Sequence, residues 1–205
     1  MNNHLPFTIS NENMAGNYNL FYMSQEPLYT KEELLAINDT IQNSNTTKPE
    51  PEKYGAVQAD KKSKVSLILW LEIKKHLKKL EDFIYDANDG IFKYDIVKIA
   101  NDHFVNVNYY DIENPNYHWH MDGTKLDQKH DIKLTCLLNI SIEKYEGGDL
   151  VLYNISDYAN NVIKEKFSKP GYALIFTSNH FHKVEPVTKG VRKTLSYWAK
   201  GPLWR

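Results

Sequence analysis

A chain of 205 residues accommodates one domain with a substantial core and is short for two. Its 41% hydrophobic and 13% aromatic content, with 14 tyrosines, excludes a disordered chain and leans toward β structure. The formal net charge of -1 removes the electrostatic case for a polyanionic partner, so no nucleic-acid binding is expected.

Cys136 is the single cysteine, so no internal disulfide can form and a reducing compartment is the simpler setting. The opening Met1-Asn2-Asn3-His4 has no basic region leading into an apolar run. The longest apolar stretch, Leu67 to Leu71, is far below the ~20 residues of a membrane span. A cytoplasmic protein without membrane contact is expected.

Along the chain, Thr30 and Glu33 form a helix capping box, followed by an apolar stripe of Leu34, Leu35, Ile37 and Ile41. A polar loop is expected from Asn43 to Lys53, with Pro49 and Pro51. A second helix is predicted from the spacing of Leu69, Ile73, Leu77, Leu80, Ile84 and Ala87. Lys74, Lys75, Lys78 and Lys79 then form its solvated outer face. From Phe104 onward the pattern changes to short strands at 104–110, 132–140, 150–153, 172–176 and 194–198. Gaps this short hold no crossover helices, so the strands pair antiparallel in a sandwich or barrel. Gly147-Gly148 reads as a tight connection opening the strand at Leu150.

Two segments carry chemistry. In Tyr117-His118-Trp119-His120-Met121-Asp122, residues two apart on an extended strand share a face, so His120 and Asp122 can reach one ion. Imidazole and carboxylate together suit Fe(II) in a two-histidine, one-carboxylate triad. A His-x-Asp alone is weak as a signal. The second segment is His182-Lys183-Val184-Glu185-Pro186-Val187-Thr188-Lys189-Gly190-Val191-Arg192. The chain has only two arginines, Arg192 and Arg205, against 23 lysines, so an arginine ten residues after a histidine is not expected from composition. A guanidinium fork binds a carboxylate through two parallel hydrogen bonds, which a lysine cannot reproduce.

The stretch from about Tyr109 onward resembles the iron(II)/2-oxoglutarate oxygenase superfamily, on its prolyl 4-hydroxylase-like, PKHD-type side. The resemblance rests on His120-x-Asp122, Tyr145-Glu146-Gly147-Gly148-Asp149-Leu150, Gly171-Tyr172-Ala173-Leu174-Ile175-Phe176, His182-Lys183-Val184-x-Pro186-Val187, Gly190-Val191-Arg192, Trp198 and Gly201-Pro202. It implies an α+β, mainly β fold: a double-stranded β-helix (jelly-roll) core with N-terminal supporting helices. One domain over 1–205 is expected, with a helical support region over 1–100 and the catalytic core over 101–205.

The resemblance also implies roles. His120, Asp122 and His182 would hold Fe(II), and Arg192 would pair with the 5-carboxylate of 2-oxoglutarate. Ser196, on the face of Arg192, would assist, and Tyr110 and Tyr117 would line the cosubstrate pocket, with Tyr109 competing for the place of Tyr110. Ascorbate would serve as reductant. The retained Asp122 argues against the related halogenases. One departure is Leu137, where such relatives often carry a tyrosine that bonds the cosubstrate.

The implied reaction hydroxylates a C–H bond, of a prolyl or other amino-acid residue, in a protein, peptide or small molecule. Two other readings stay open: a jelly-roll binding module that does no oxidation, and a zinc hydrolase using the same three ligands. His118 would replace His120 in a shifted register, and His180 flanks His182 in the same way. Gly147, Gly148 and Asp149 read as turn formers, Cys136 as a small buried hydrophobe and Trp198 as lining beneath the pocket. Substrate choice is expected from the segments Asn43 to Lys64, Gly123 to Asp131 and Asn154 to Asn161.

Overall fold

The computed structural model describes residues 21–47, 61–62, 64–123, 129–154, 159–163 and 167–204. The order begins β1 (Phe21–Met23), α1 (Lys31–Asn43), β2 (Lys61–Lys62), β3 (Lys64–Leu69), α2 (Trp70–Ile73) and α3 (Lys78–Ala87). Strands β4 (Phe104–Tyr110), β5 (Asn116–His120), β6 (His130–Asn139), β7 (Glu146–Gly147) and β8 (Leu150–Asn154) follow. The chain continues through β9 (Ala159–Ile163), β10 (Ala173–Thr177), β11 (His182–Val184), β12 (Val187–Lys189) and β13 (Arg192–Pro202). Much of the three segments expected to choose the substrate lies outside the described residues.

At the start of α1, Thr30 Oγ1 accepts the Glu33 N–H and the Glu33 carboxylate accepts the Thr30 N–H, closing the capping box. Leu34, Ile37 and Ile41 are buried, whereas Leu35 is 48% exposed. One residue rotates about 100° around a helix, which carries Leu35 off the buried stripe.

The helix predicted to run from Leu69 is divided. Leu69 ends β3, and a 3-10 turn over Lys74–His76 separates α2 from α3. Lys64 to Leu69 pair antiparallel with Tyr109 to Phe104. Cross-strand packing of this β-branched and apolar run outweighs the helical spacing that includes Leu69. The rest of the stripe behaves as read: Leu77, Leu80, Ile84 and Ala87 are buried. On the outer face Lys78 pairs with Asp82, and Lys79 with Glu33.

The strands form a six-stranded sheet, β1-β10-β6-β13-β4-β3, and a five-stranded sheet, β2-β5-β11-β8-β9, with β7 and β12 paired separately. Every pairing is antiparallel. The first hundred residues therefore supply β1 and β3 as the two edges of the larger sheet, as well as helices. This is the mainly β, jelly-roll arrangement with helical support that the sequence implies.

Alternation divides the larger sheet between two cores. Val105, Val107, Leu134, Cys136, Leu138, Leu195 and Tyr197 pack with the helices. Tyr110, Leu137, Leu174 and Phe176 face the smaller sheet, against Leu150, Leu152, Val184 and Val187. Polar residues share that second face. Arg192, Thr194 and Ser196 of β13 and Asn106 and Asn108 of β4 are all buried there. A buried polar row inside a β sandwich is costly unless it is bonded or used, and this row leads to the site. Among the described residues no helix is long and apolar enough to cross a membrane.

Leu138 is fully buried against the helical layer. Leu138→Ala is expected to lower unfolding stability by about 2–5 kcal/mol in urea denaturation.

Candidate active site

β5 and β11 are neighbours in the smaller sheet, and His120 and His182 are Cα partners across them. Two histidines far apart in sequence are thereby held face to face, with ring centroids 4.1 Å apart. Asp122 follows β5, where its backbone N–H donates to Ser178 O at 3.1 Å. Its Oδ1 lies 3.6 Å from His120 Nε2, and its Oδ2 lies 3.6 Å from His182 Nε2. One donor atom from each of the three falls within 4.8 Å of the others.

Both imidazoles are held by their far nitrogens. His120 Nδ1 donates to His118 O at 2.7 Å, and His182 Nδ1 donates to His180 O at 2.9 Å. With Nδ1 protonated, each Nε2 turns a lone pair toward the carboxylate, the tautomer a metal requires. His118 and His180 thus contribute backbone carbonyls. The His118 ring is exposed beside Asn116 and is not among the converging donors.

The electrostatics suit a cation. Burial pushes His182 down to about 4 despite the attraction of Asp122. Burial works against the Asp122 charge, but His182, His120 and a hydrogen bond from Thr135 outweigh it and hold the carboxyl well below its ordinary range. A neutral imidazole beside an ionised carboxylate is the form that binds a divalent metal. Tyr117 stacks on His120 with 3.5 Å between centroids, and Phe176 meets the His182 ring edge-on at 4.8 Å.

Arg192 opens β13 opposite Tyr110, its Cα partner on β4. The side chain is only 2% exposed, with the guanidinium 5.2 Å from the Tyr110 ring centroid and 5.7 Å from that of Phe167. Its Nη2 is buried without a hydrogen-bond partner, and no acidic side chain pairs with it among the described residues. Such a cation is costly to bury alone and accepts a carboxylate readily. Gly148, at φ 69°, makes room for it, since a Cβ there would stand 2.8 Å from Arg192 Cδ. Gly148, read from the sequence as a turn former, also shapes the arginine pocket.

Tyr110 therefore faces Arg192, whereas Tyr109 packs toward the helices and beneath Lys193. Ser196 sits on the Arg192 face, and its Oγ accepts from Asn108 Nδ2 at 2.7 Å. That bond leaves the Ser196 proton free to donate elsewhere. Leu137, which stands where the resembled relatives often carry a tyrosine, is the Cα partner of Ser196 and packs in the inner core. Sequence reasoning missed Asn108 and Thr135. Thr135 Oγ1 donates to Asp122 Oδ2 at 2.5 Å. The only cue was two polar side chains at inward positions of otherwise apolar strands, and which way they point depends on sheet pairing.

Residues 105–200 match the 2OG-Fe(II) oxygenase superfamily. The match covers a little under half of the chain. A PKHD-type hydroxylase of Xylella fastidiosa (strain M12) is 31% identical over 99 residues, covering 43% of this chain and 40% of the relative. A PKHD-type hydroxylase of Janthinobacterium sp. (strain Marseille) is 31% identical over 91 residues, covering 41% and 38%. The match thus spans about 40% of these curated relatives' length. Among solved structures, a Trichoplax adhaerens prolyl hydroxylase in complex with a hypoxia inducible factor peptide fragment aligns with TM-score 0.64 at 19% identity, over 88% of this chain and 83% of that one. A Pseudomonas putida prolyl-4-hydroxylase aligns with TM-score 0.61 at 14% identity, over 89% and 92%. These distant structures share the fold.

Two predictions follow from this geometry. If Arg192 anchors the cosubstrate carboxylate, as the sequence resemblance implies, Arg192→Met leaves metal affinity within a few-fold and abolishes measurable 2-oxoglutarate binding in calorimetry. The same change should hold or raise the unfolding midpoint of ligand-free protein, because it removes a buried charge that has no acidic partner among the described residues. In metal-free protein, stability should fall as pH drops from 6.5 toward 4. Over that window the unfolded His182 binds a proton that the folded form excludes, a slope of about 1.4 kcal/mol per pH unit from this residue. His103 and His180, lowered chiefly by burial, act with the same sign. Denaturant titrations at stepped pH measure the slope, which His182→Gln should reduce.

Proposed function

We propose that this chain is an Fe(II)/2-oxoglutarate-dependent dioxygenase that hydroxylates a C–H bond of a prolyl or other amino-acid residue. The observation that carries the reading is the pairing of two features. His120, Asp122 and His182 converge as a metal-binding donor set, and Arg192 is buried on the inner face with an unbonded Nη2. Two imidazoles and one carboxylate fit Fe(II) with coordination positions to spare. They fit zinc equally well, but neither a zinc hydrolase nor a binding module accounts for a buried guanidinium without a carboxylate partner among the described residues.

Fe(II) with 2-oxoglutarate supplies the activation of O2 when bound, and 2-oxoglutarate leaves as succinate and CO2. The protein's part is to bind, orient and exclude water. His120 and His182 present Nε2 because each Nδ1 proton is committed to a carbonyl. Arg192 pairs with the distal carboxylate of the cosubstrate, and the Tyr110 and Phe167 rings dry the pocket around that pair. Ser196 donates its free proton to the same carboxylate, its acceptor side being filled by Asn108. Tyr117 holds the His120 ring in plane by stacking.

The substrate is a protein, peptide or small molecule with an oxidisable C–H. A prolyl residue leads because the curated relatives are PKHD-type hydroxylases and a structural neighbour is a prolyl hydroxylase in complex with a peptide fragment. Ascorbate would keep the iron reduced, and the lone buried Cys136 accords with a reducing, cytoplasmic setting.

Anaerobic loading with Fe(II) and 2-oxoglutarate, then exposure to O2 with ascorbate and proline-containing peptides, tests this. Succinate release above a His182→Ala control, with one oxygen atom gained by a peptide, is the expected result. Equal succinate from both proteins would overturn the assignment.

A further inference from the structure

The two histidines and the carboxylate are not held alike. Each imidazole sits on a paired strand and is locked by a hydrogen bond to a backbone carbonyl. Asp122 lies beyond the end of β5, and its backbone bond to Ser178 O leaves the side-chain torsions free. Among the described residues, and apart from the two imidazoles, one hydrogen-bond donor reaches its carboxylate: the hydroxyl of Thr135.

Thr135 stands in the middle of β6, paired with Phe176 on one side and Trp198 on the other. It is 1% exposed, and its neighbours Leu134 and Cys136 point into the helical core. Its side chain turns the opposite way, toward Asp122. As a β-branched residue in a central strand its χ1 is narrowly restricted. The hydroxyl is therefore held on an interior strand paired on both sides. A short hydrogen bond from it to an ionised oxygen is charge-assisted and strong.

We infer that Thr135 is a positioning residue of the metal centre, orienting the Asp122 carboxylate so that the donor set is assembled before an ion arrives. This rests on the metal-centre reading above and adds the means by which its least constrained ligand is fixed. Thr135 is not one of the three converging donors and acts through its bond to Asp122. An oriented ligand loses less freedom on binding, so the contribution appears as metal affinity.

The test is equilibrium binding of Co(II) to chelator-stripped protein, with Thr135→Ser, Thr135→Ala and Thr135→Val beside the parent. Serine and alanine differ only by the hydroxyl, and valine keeps the shape of threonine while removing it. Thr135→Ser is expected to bind Co(II) within about 3-fold of the parent, and Thr135→Ala about 10–100-fold more weakly. Thr135→Val should match alanine where it folds, as judged by far-UV circular dichroism. Alanine binding as tightly as the parent, or serine as weakly as alanine, overturns the inference, the second outcome assigning the effect to packing. A parent protein that binds no Co(II) overturns the metal-centre reading itself, a result visible before any variant is measured.

Discussion

The pairing of β5 with β11 is the contact on which the site depends. It makes His120 and His182 cross-strand partners, and without it the chain has one His-x-Asp dyad and a distant histidine with no common target. The pairing is set by the hydrophobic pattern. Val184 and Tyr117 pack on Leu150, Leu152 and Phe176 within the inner core, and a slip of one residue in β5 or β11 would turn Tyr117 or Val184 outward. The same apolar contacts that hold the smaller sheet on the larger one therefore hold the two histidines in register.

Polar groups on the inner face are arranged in a graded way. At His120, His182 and Asp122 the bonds are fixed: His118 O, His180 O, Ser178 O and Thr135 Oγ1 hold these three residues. Farther along β13 the bonding thins, from Ser196 tied to Asn108 to Arg192 with a nitrogen left over. A folded protein tolerates an unpaired buried guanidinium at some cost in stability. The rings of Tyr110 and Phe167 soften that cost by cation–π contact, and Gly148 leaves space for the stem. Bonding is thus incomplete at Arg192, while His120, His182 and Asp122 each have a hydrogen-bond partner.

Much of this was legible along the chain. The β4 boundaries came directly from the run of β-branched and aromatic residues at 104–110, and the α1 capping box from Thr30 and Glu33. The metal candidates and Arg192 stood out because histidine and arginine are scarce beside 23 lysines, and their spacing matched a familiar order. Leu69 was misplaced because its spacing suited a helix while its neighbours suited a strand, and only the presence of β4 alongside decided between them. β9 was not anticipated, since Asn160 and Asn161 carry no apolar alternation.

The sequence by itself determined the residue types available for coordination and anion binding, their order, and the mainly β character of the second half. Tertiary structure alone decided that Tyr110 rather than Tyr109 meets Arg192, that His118 and His180 serve through their carbonyls, and that Thr135 and Asn108 turn inward. The reason lies in strand geometry. Alternation states which residues share a face, but which face looks inward depends on partners brought together from distant parts of the chain.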